Sequence, residues 1–206
     1  MLDELKAGLR LLNIEPSQRL CSTYLSYIEL LIKWNKTYNL TAIKEPEAIL
    51  YRHVLESLTV LNFIEGKHCI DIGTGAGLPG MILALALPET KWVLLDSNQK
   101  KTRFLIHVKA ELSIENVEII HDRVESYQAQ NHFDTVICRA FAPLNRLIDL
   151  TQHLLTENNQ LLAMKGKQAE DEIKELGQNE FSITLNNLAA TTDSSHSKLV
   201  QIRQAE

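Results

Sequence analysis

Leucines at positions 2, 5, 9 and 12 recur at three- and four-residue steps, which places them on one face of a helix. Pro16 and Ser17 interrupt the pattern. Leu20, Tyr24, Ile28 and Leu31 then form a second apolar stripe that ends near Trp34. A polar joint follows over 35–45. Pro46 fits the first turn of a third helix, where its missing N–H costs nothing, and this helix carries Ile49, Val54, Leu58 and Leu61 inward. From residue 67 the period changes. Cys69–Ile72, Trp92–Leu95, Val117–Ile120, Asp134–Cys138 and Leu161–Met164 read as short, nearly all-apolar strands. Helical stretches separate or follow them at Leu78–Leu87 (closed by Pro88), after the second strand through about Leu112, at Leu144–Leu155 and at Glu170–Leu176. Such strands joined by helices form a parallel sheet covered on both faces. Phe181–Leu188 and Leu199–Ile202 read as the last two strands. Thr191–Ser197 reads as the hairpin loop between them, so these two should pair antiparallel. The expected architecture is α/β, with residues 1–63 as an N-terminal helical cap and 64–206 as a ligand-binding domain.

Length and composition narrow the functional classes. A chain of 206 residues with 45% hydrophobic and 23% charged residues suits one globular domain with a short appendage, not a disordered tail. A net charge of −5 excludes a histone-like coat but leaves room for a local basic face. Cys21, Cys69 and Cys138 lie far apart with no C-x-x-C, which argues against a disulfide framework or a structural zinc site. The histidines have no metal-ligand spacing, so no metal is expected. The start, Met1-Leu2-Asp3-Glu4-Leu5-Lys6, has acids where a signal peptide needs bases. The longest apolar stretch is broken by Pro79 and falls short of the ~20 residues a membrane span needs. The expectation is a cytoplasmic protein with no membrane partner.

Chemistry concentrates at one point. Four of the eight glycines fall within 73–80, where uniform scatter would put roughly 0.3. The run Asp71-Ile72-Gly73-Thr74-Gly75-Ala76-Gly77-Leu78-Pro79-Gly80 follows a strand and opens a helix. Glycine is needed there for tight turning and for close approach of a ligand to the main chain, as in nucleotide-binding turns. The dinucleotide pattern G-x-G-x-x-G fails when counted from Gly73. It fits from Gly75 through Gly77 to Gly80, two residues further from the strand. A carboxylate at Asp71 would repel a pyrophosphate but would suit S-adenosylmethionine, which carries an ammonium and a sulfonium and no phosphate. Asp96 ends the second strand, where an acid can accept hydrogen bonds from both ribose hydroxyls. Asp122-Arg123-Val124-Glu125 ends the third, where an adenine edge can meet backbone or carboxylate. Taken singly, each of these acids is as readily a solvated turn residue.

At this point the sequence resembles a known family. Asp71-Ile72-Gly73-Thr74-Gly75-Ala76-Gly77 is similar to the first motif of class I S-adenosylmethionine-dependent methyltransferases. Trp34-Asn35-Lys36-x-x-Asn39-Leu40-Thr41, Arg52-His53-x-x-x-Ser57-Leu58, Gly77-Leu78-Pro79-Gly80, Leu94-Leu95-Asp96-Ser97 and Arg139-Ala140, in that order, resemble the GidB (RsmG) family of bacterial 16S rRNA guanine-N7 methyltransferases. The resemblance covers nearly the whole chain, although nothing after about residue 170 matches a motif. It implies a Rossmann-like class I methyltransferase fold, mostly parallel with an antiparallel C-terminal strand. It implies S-adenosylmethionine as cofactor, contacted by Gly73, Leu78, Val124, Glu125 and Arg139, with Gly75 and Gly77 in the same turn and Asp96 near the ribose. It further implies a guanine in the decoding region of 16S rRNA as target, in the small subunit or an assembly intermediate, with no obligate protein partner. Family members often carry Phe where this chain has Leu78.

Guanine N7 has a free lone pair and no proton, so its methylation needs no general base. The fourth strand is followed by Arg139-Ala140-Phe141-Ala142, not by the Asn/Asp-Pro-Pro-aromatic run of amino-group methyltransferases, and no Pro-Cys offers a nucleophile. Arg139 is the one catalytic candidate. It can hold the methionine carboxylate, an RNA phosphate or a base edge, or it can be a surface arginine. Phe141 can stack on a base or sit in the core. Lys36, Lys100, Lys101, Arg103 and Lys165 are the RNA-binding candidates, and each can equally be a solvated cation. Tyr24 and Tyr27 read as helix packing. Trp34–Thr41 reads either as packing, as a stacking surface or as a lid. His53 reads as a core histidine or a functional one. The competing functions are a small-molecule methyltransferase, a non-catalytic nucleotide-binding module and a nicotinamide enzyme.

Overall fold

The computed structural model describes residues 1–177, 180–189 and 197–204. The chain begins with α1 (Leu2–Leu11) and α2 (Gln18–Tyr38). Ser17 caps α2 by accepting a hydrogen bond from the Leu20 amide. α2 runs past Trp34 to Tyr38 and closes at Asn39, whose φ of 51° lies in the left-handed region. The polar joint is therefore shorter than expected. Pro46 takes the first position of α3 (Pro46–Ile49), which passes into a π-helical turn (Leu50–Leu55) and then α4 (Glu56–Leu58). Leu61 is only half-buried, in a 3-10 turn after the helix.

Seven strands follow: β1 (His68–Ile72), β2 (Lys91–Leu95), β3 (Val117–Ile120), β4 (Thr135–Arg139), β5 (Gln160–Lys165), β6 (Phe181–Asn187) and β7 (Lys198–Gln204). Their order is β3-β2-β1-β4-β5-β7-β6. The first five are parallel, and β7 lies antiparallel between β5 and β6. The expected antiparallel pairing of the last two strands holds. The hairpin loop expected between them falls, except for Ser197, outside the described residues. Between strands lie α5 (Gly80–Ala86), α6 (Gln99–Glu111), α7 (Leu144–Thr151) and α8 (Ala169–Leu176). α5 starts two residues later than the sequence suggests, because Leu78 and Pro79 belong to the preceding turn.

Alternate strand residues serve two cores. Cys69, Ile137, Leu162 and Met164 face one cluster, which α5, α6 and the cap complete through Leu5, Tyr24, Tyr27, Ile28 and Leu31. Ile70, Val136, Cys138, Leu161 and Ala163 face the other, completed by Leu144, Leu147 and Ala169. Each fully buried aliphatic side chain contributes ~1.5–3 kcal/mol, so the cap helices are held by the sheet's own core. All three cysteines are buried free thiols. Among the described residues no helix is long and apolar enough to cross a membrane. Strand order reverses at β1, between β2 and β4. In such sheets the ligand crevice opens at the carboxyl ends of the strands flanking that point.

Candidate functional site

The glycine run forms a tight turn at the end of β1. Gly73, Gly75 and Gly77 all take positive φ. The Thr74 amide donates to Leu95 O on β2, and Gly77 and Leu78 amides donate to Thr74 O. Asp71 organises the turn from beneath. Its Oδ2 accepts from Thr74 Oγ1 at 2.6 Å and from the Gly80 amide at 2.8 Å, at the start of α5. A side chain at Gly80 would meet Asp71 Cβ at 2.6 Å and Leu94 at 2.5 Å, which explains the fourth glycine. The carboxylate thus takes up the first amide of α5, which is then not free to bind a phosphate. Asp71 is fully buried, its Oδ1 has no partner, and burial lifts its pKa to about 7 against the pull of those two hydrogen bonds. The cap also reaches this turn: Tyr27, fully buried on α2, donates its hydroxyl to Ala76 O at 2.7 Å.

Beside the turn, at the carboxyl ends of the strands, lies a cleft of about 500 Å³. Its walls include Gly73, Asp96, Asp122–Glu125 and Ala140–Pro143. Asp96 is 6% exposed. Its Oδ2 accepts from the Gly75 amide and its Oδ1 from the Asn98 amide, both at 2.8 Å, with Lys101 Nζ 3.6 Å away. One lone pair of each oxygen remains, enough for a pair of ribose hydroxyls. Phe141 covers Gly73 so closely that a Cβ there would lie 2.3 Å from its ring. Ala140, at φ +48°, turns the chain sharply at the end of β4 to bring Phe141 there.

The structure brings Gly73, Asp96, Val124 and Glu125 onto one cleft, with Gly75 hung on Asp96. Gly77 and Leu78 stand behind the turn: a Cβ on Gly77 would strike Met81 and Leu105, and Leu78 packs in the cap-side cluster. Arg139 is not a surface arginine. Its guanidinium reaches the cap, donating to Arg52 O at 3.1 Å and lying 3.2 Å from His53 Nδ1 and 3.7 Å from Glu56 Oε2. Burial lowers its pKa, opposed chiefly by Glu56.

Lys165 is corrected from a solvent-facing phosphate contact to part of the cleft's support. It is 8% exposed and binds Ala142 O and Glu172 Oε2, the latter at 2.7 Å, while Glu172 also accepts from the Leu144 amide. Lys165→Met should lower thermal stability by ~1–3 kcal/mol, since it takes the cation from a half-buried carboxylate and the donor from Ala142 O, and leave the salt dependence of RNA binding unchanged. A change in that slope would return Lys165 to the RNA surface.

Lys36, Lys100 and Arg103 are exposed, and Lys101 is half-buried against Asp96. Trp34 packs its ring near Tyr38, Phe104 and His107, with centroids 5.2, 5.7 and 5.2 Å away, joining α2 to α6. Tyr24 and Tyr27 are core residues, as read from the sequence. Cys69 and Cys138 have their thiol pKa pushed up to about 12 by burial, so neither is a nucleophile at neutral pH.

His53 is 6% exposed, and burial with Arg139 beside it lowers its pKa to about 4. The folded protein therefore takes up this proton later than the unfolded chain as pH falls. The stability tied to neutral His53 is complete above pH ~6.5 and is lost as pH drops towards 4. Asp71 acts oppositely, because its raised pKa lets the folded state bind a proton first. Comparing wild type with His53→Leu isolates the histidine. Wild type should lose ~2–3 kcal/mol relative to the variant over that window in urea titrations. A pH-independent difference would contradict the buried neutral imidazole.

The fold is the Rossmann-like one of class I methyltransferases. Among solved structures, the chain is similar to magnesium protoporphyrin IX methyltransferase from Synechocystis PCC 6803 with bound SAM, at TM-score 0.60 and 17% identity over 87% of this chain and 97% of that one. It is also similar to an rRNA methylase from Streptococcus thermophilus, at TM-score 0.53 and 17% identity over 81% of this chain and 100% of that one. At that identity these likenesses carry the fold alone. The sequence goes further. Residues 20–200 match the GidB family model, rRNA small subunit methyltransferase G. The ribosomal RNA small subunit methyltransferase G of Pseudomonas syringae pv. syringae is 49% identical over 82% of this chain and 79% of its own, and that of Legionella pneumophila subsp. pneumophila 52% over 72% of each. The chain belongs to the rRNA small subunit methyltransferase G family, whose members are S-adenosylmethionine-dependent.

Proposed function

We propose that the protein methylates N7 of a guanine in the decoding region of 16S rRNA, using S-adenosylmethionine, on assembled or partly assembled small subunits in the cytoplasm. The observation that supports the cofactor most directly is the placement of the two buried acids. Asp71 takes up the first amide of α5, and Asp96, on the cleft wall, keeps further acceptor capacity on both oxygens. When bound, S-adenosylmethionine supplies an electrophilic methyl group on a sulfonium. Asp96 would accept from the ribose hydroxyls, Val124 and Glu125 would meet the adenine, and Gly73 would line the turn beside the rest, with Leu78 supporting it from behind. Arg139 stands at the substrate end of β4.

The remaining chemistry is alignment. An in-line displacement needs the base nitrogen, methyl carbon and sulfur held collinear with water excluded. N7 brings its own lone pair, so no group on the cleft wall has to remove a proton. Phe141, fixed over Gly73, narrows the cleft where the two substrates would meet. Lys36, Lys100 and Arg103 supply exposed cations near the Trp34–His107 ring stack for phosphate contact, and Lys101 stands where the RNA face meets the cleft. The double variant Lys100→Glu/Arg103→Glu should weaken subunit binding and reduce the log–log salt slope by about 2. An unchanged slope would remove both from the footprint.

Transfer of labelled methyl from S-adenosylmethionine to small subunits from cells lacking this gene, followed by mapping of N7-methylguanine, tests the reading. One guanine of the decoding region should be labelled. Label confined to a small metabolite would replace the RNA substrate with a soluble one.

A further inference from the structure

The polar residues of the joint and of the π-helical turn form one connected chain that ends on Arg139. Asn35 closes the joint by donating to Thr41 O at 3.0 Å and accepting from the Thr41 amide at 2.9 Å. Thr41 Oγ1 accepts from the Ile43 amide at 3.1 Å and lies 2.8 Å from His53 Nε2. His53 Nδ1 faces Arg139 Nη2, and Ser57 Oγ donates to His53 O. His53 Nδ1 lies 3.1 Å from Arg52 O and 3.2 Å from Arg139 Nη2, so one tautomer donates to the carbonyl and the other accepts from the guanidinium; in the accepting form the imidazole proton sits on Nε2, directed at Thr41. Wide π-turns often mark functional positions in helices. This one presents both the Arg52 carbonyl and the His53 ring to the same guanidinium.

Arg139 immediately precedes Ala140, where the strained backbone starts the Ala140–Pro143 wall of the cleft. Lys165 and Glu172 pin the far flank of that wall. The near flank is held by the Ala140 amide on Met164 O and by the side chain of Arg139, which ties it to the cap. The charged groups around His53 are Arg139 from β4 and Arg52 and Glu56 from its own helical segment, with the neutral Thr41 from the joint.

We propose that His53 is a positioning residue for methyl transfer: acting through Arg139, it fixes the Ala140–Phe141 wall, and Thr41 selects the imidazole tautomer that makes this contact. This rests on the cleft being the methyl-donor site. The helical cap thereby sets the geometry in which the base meets the methyl group.

Three variants and one spectrum test it on the full chain. Long-range proton–nitrogen spectra should show His53 as the Nε2–H tautomer. His53→Leu and Thr41→Val should lower kcat on small subunits about tenfold, the scale of one lost charge-assisted hydrogen bond, with KM for subunits within about twofold. Thr41→Ser keeps the hydroxyl and should stay near wild type. Melting curves taken alongside separate lost turnover from lost fold, and the Thr41 pair carries the test if His53→Leu does not fold. An Nδ1–H tautomer, a wild-type kcat in folded His53→Leu, or Thr41→Ser falling as far as Thr41→Val would overturn the proposal. A wild-type protein that transferred no methyl to subunits would sink the functional reading instead, and the spectrum would still decide the contact.

Discussion

Gly73→Val should abolish measurable binding of S-adenosylmethionine, with affinity falling by ~100-fold or more in calorimetry. The residue sits at φ +64°, where a side chain costs about 1–2 kcal/mol and a β-branched one more. Its Cβ would lie 2.3 Å from the Phe141 ring, so the ring has to leave its place over the turn. Phe141 lines the cleft, and the volume it would sweep is the volume proposed for the ligand. The clash therefore acts first through the protein's own aromatic and only then through the cofactor. Removing the ring distinguishes the two routes. Gly73→Ala should bind weakly, and Gly73→Ala/Phe141→Ala should recover part of the loss. Unchanged affinity in Gly73→Val would remove this turn from the site.

Asp96→Ala should raise the dissociation constant for S-adenosylmethionine on the order of 100-fold and also cost stability. The carboxylate holds the Gly75 and Asn98 amides from two loops, so its loss leaves both donors unpaired and loosens the turn before any ligand arrives. Lys101 would lose its partner at 3.6 Å as well. Asp96→Asn is milder for folding but presents an amide hydrogen to one of those donors, and should bind nearly as poorly. Wild-type affinity in either variant would mean that Asp96 only ties the loops together.

The strands and the glycine turn were readable in the sequence because local chemistry dictates them. Apolar runs of four or five residues have few other uses, and Gly73, Gly75 and Gly77 each need a backbone that other residues avoid. Helix ends were less readable. Trp34 marked the end of a stripe, yet α2 continues to Tyr38 because Trp34 itself packs on Phe104 and His107 from α6. The contacts that assemble the site were not readable at all. Lys165 looked like a rim cation, but its partner Glu172 lies on α8 and its carbonyl acceptor Ala142 lies after β4. Arg139 and His53 are 86 residues apart, and only the docking of the cap joins them. Tyr27 was rightly read as core, but nothing local says that its hydroxyl ends on Ala76 of the turn. These side chains share one property: each is polar, nearly buried and satisfied by a group from a different layer.

The reading of this molecule stands on the methyl donor lying across the ends of β1 and β2. A crystal structure with S-adenosylhomocysteine measures that directly. The ribose hydroxyls should lie on Asp96, the adenine against Val124 and Glu125, and the amino-acid end beside Gly73, with Phe141 still over the turn. A ligand held elsewhere on the molecule, with the Gly73–Asp96 cleft unchanged and empty beside it, would contradict the account.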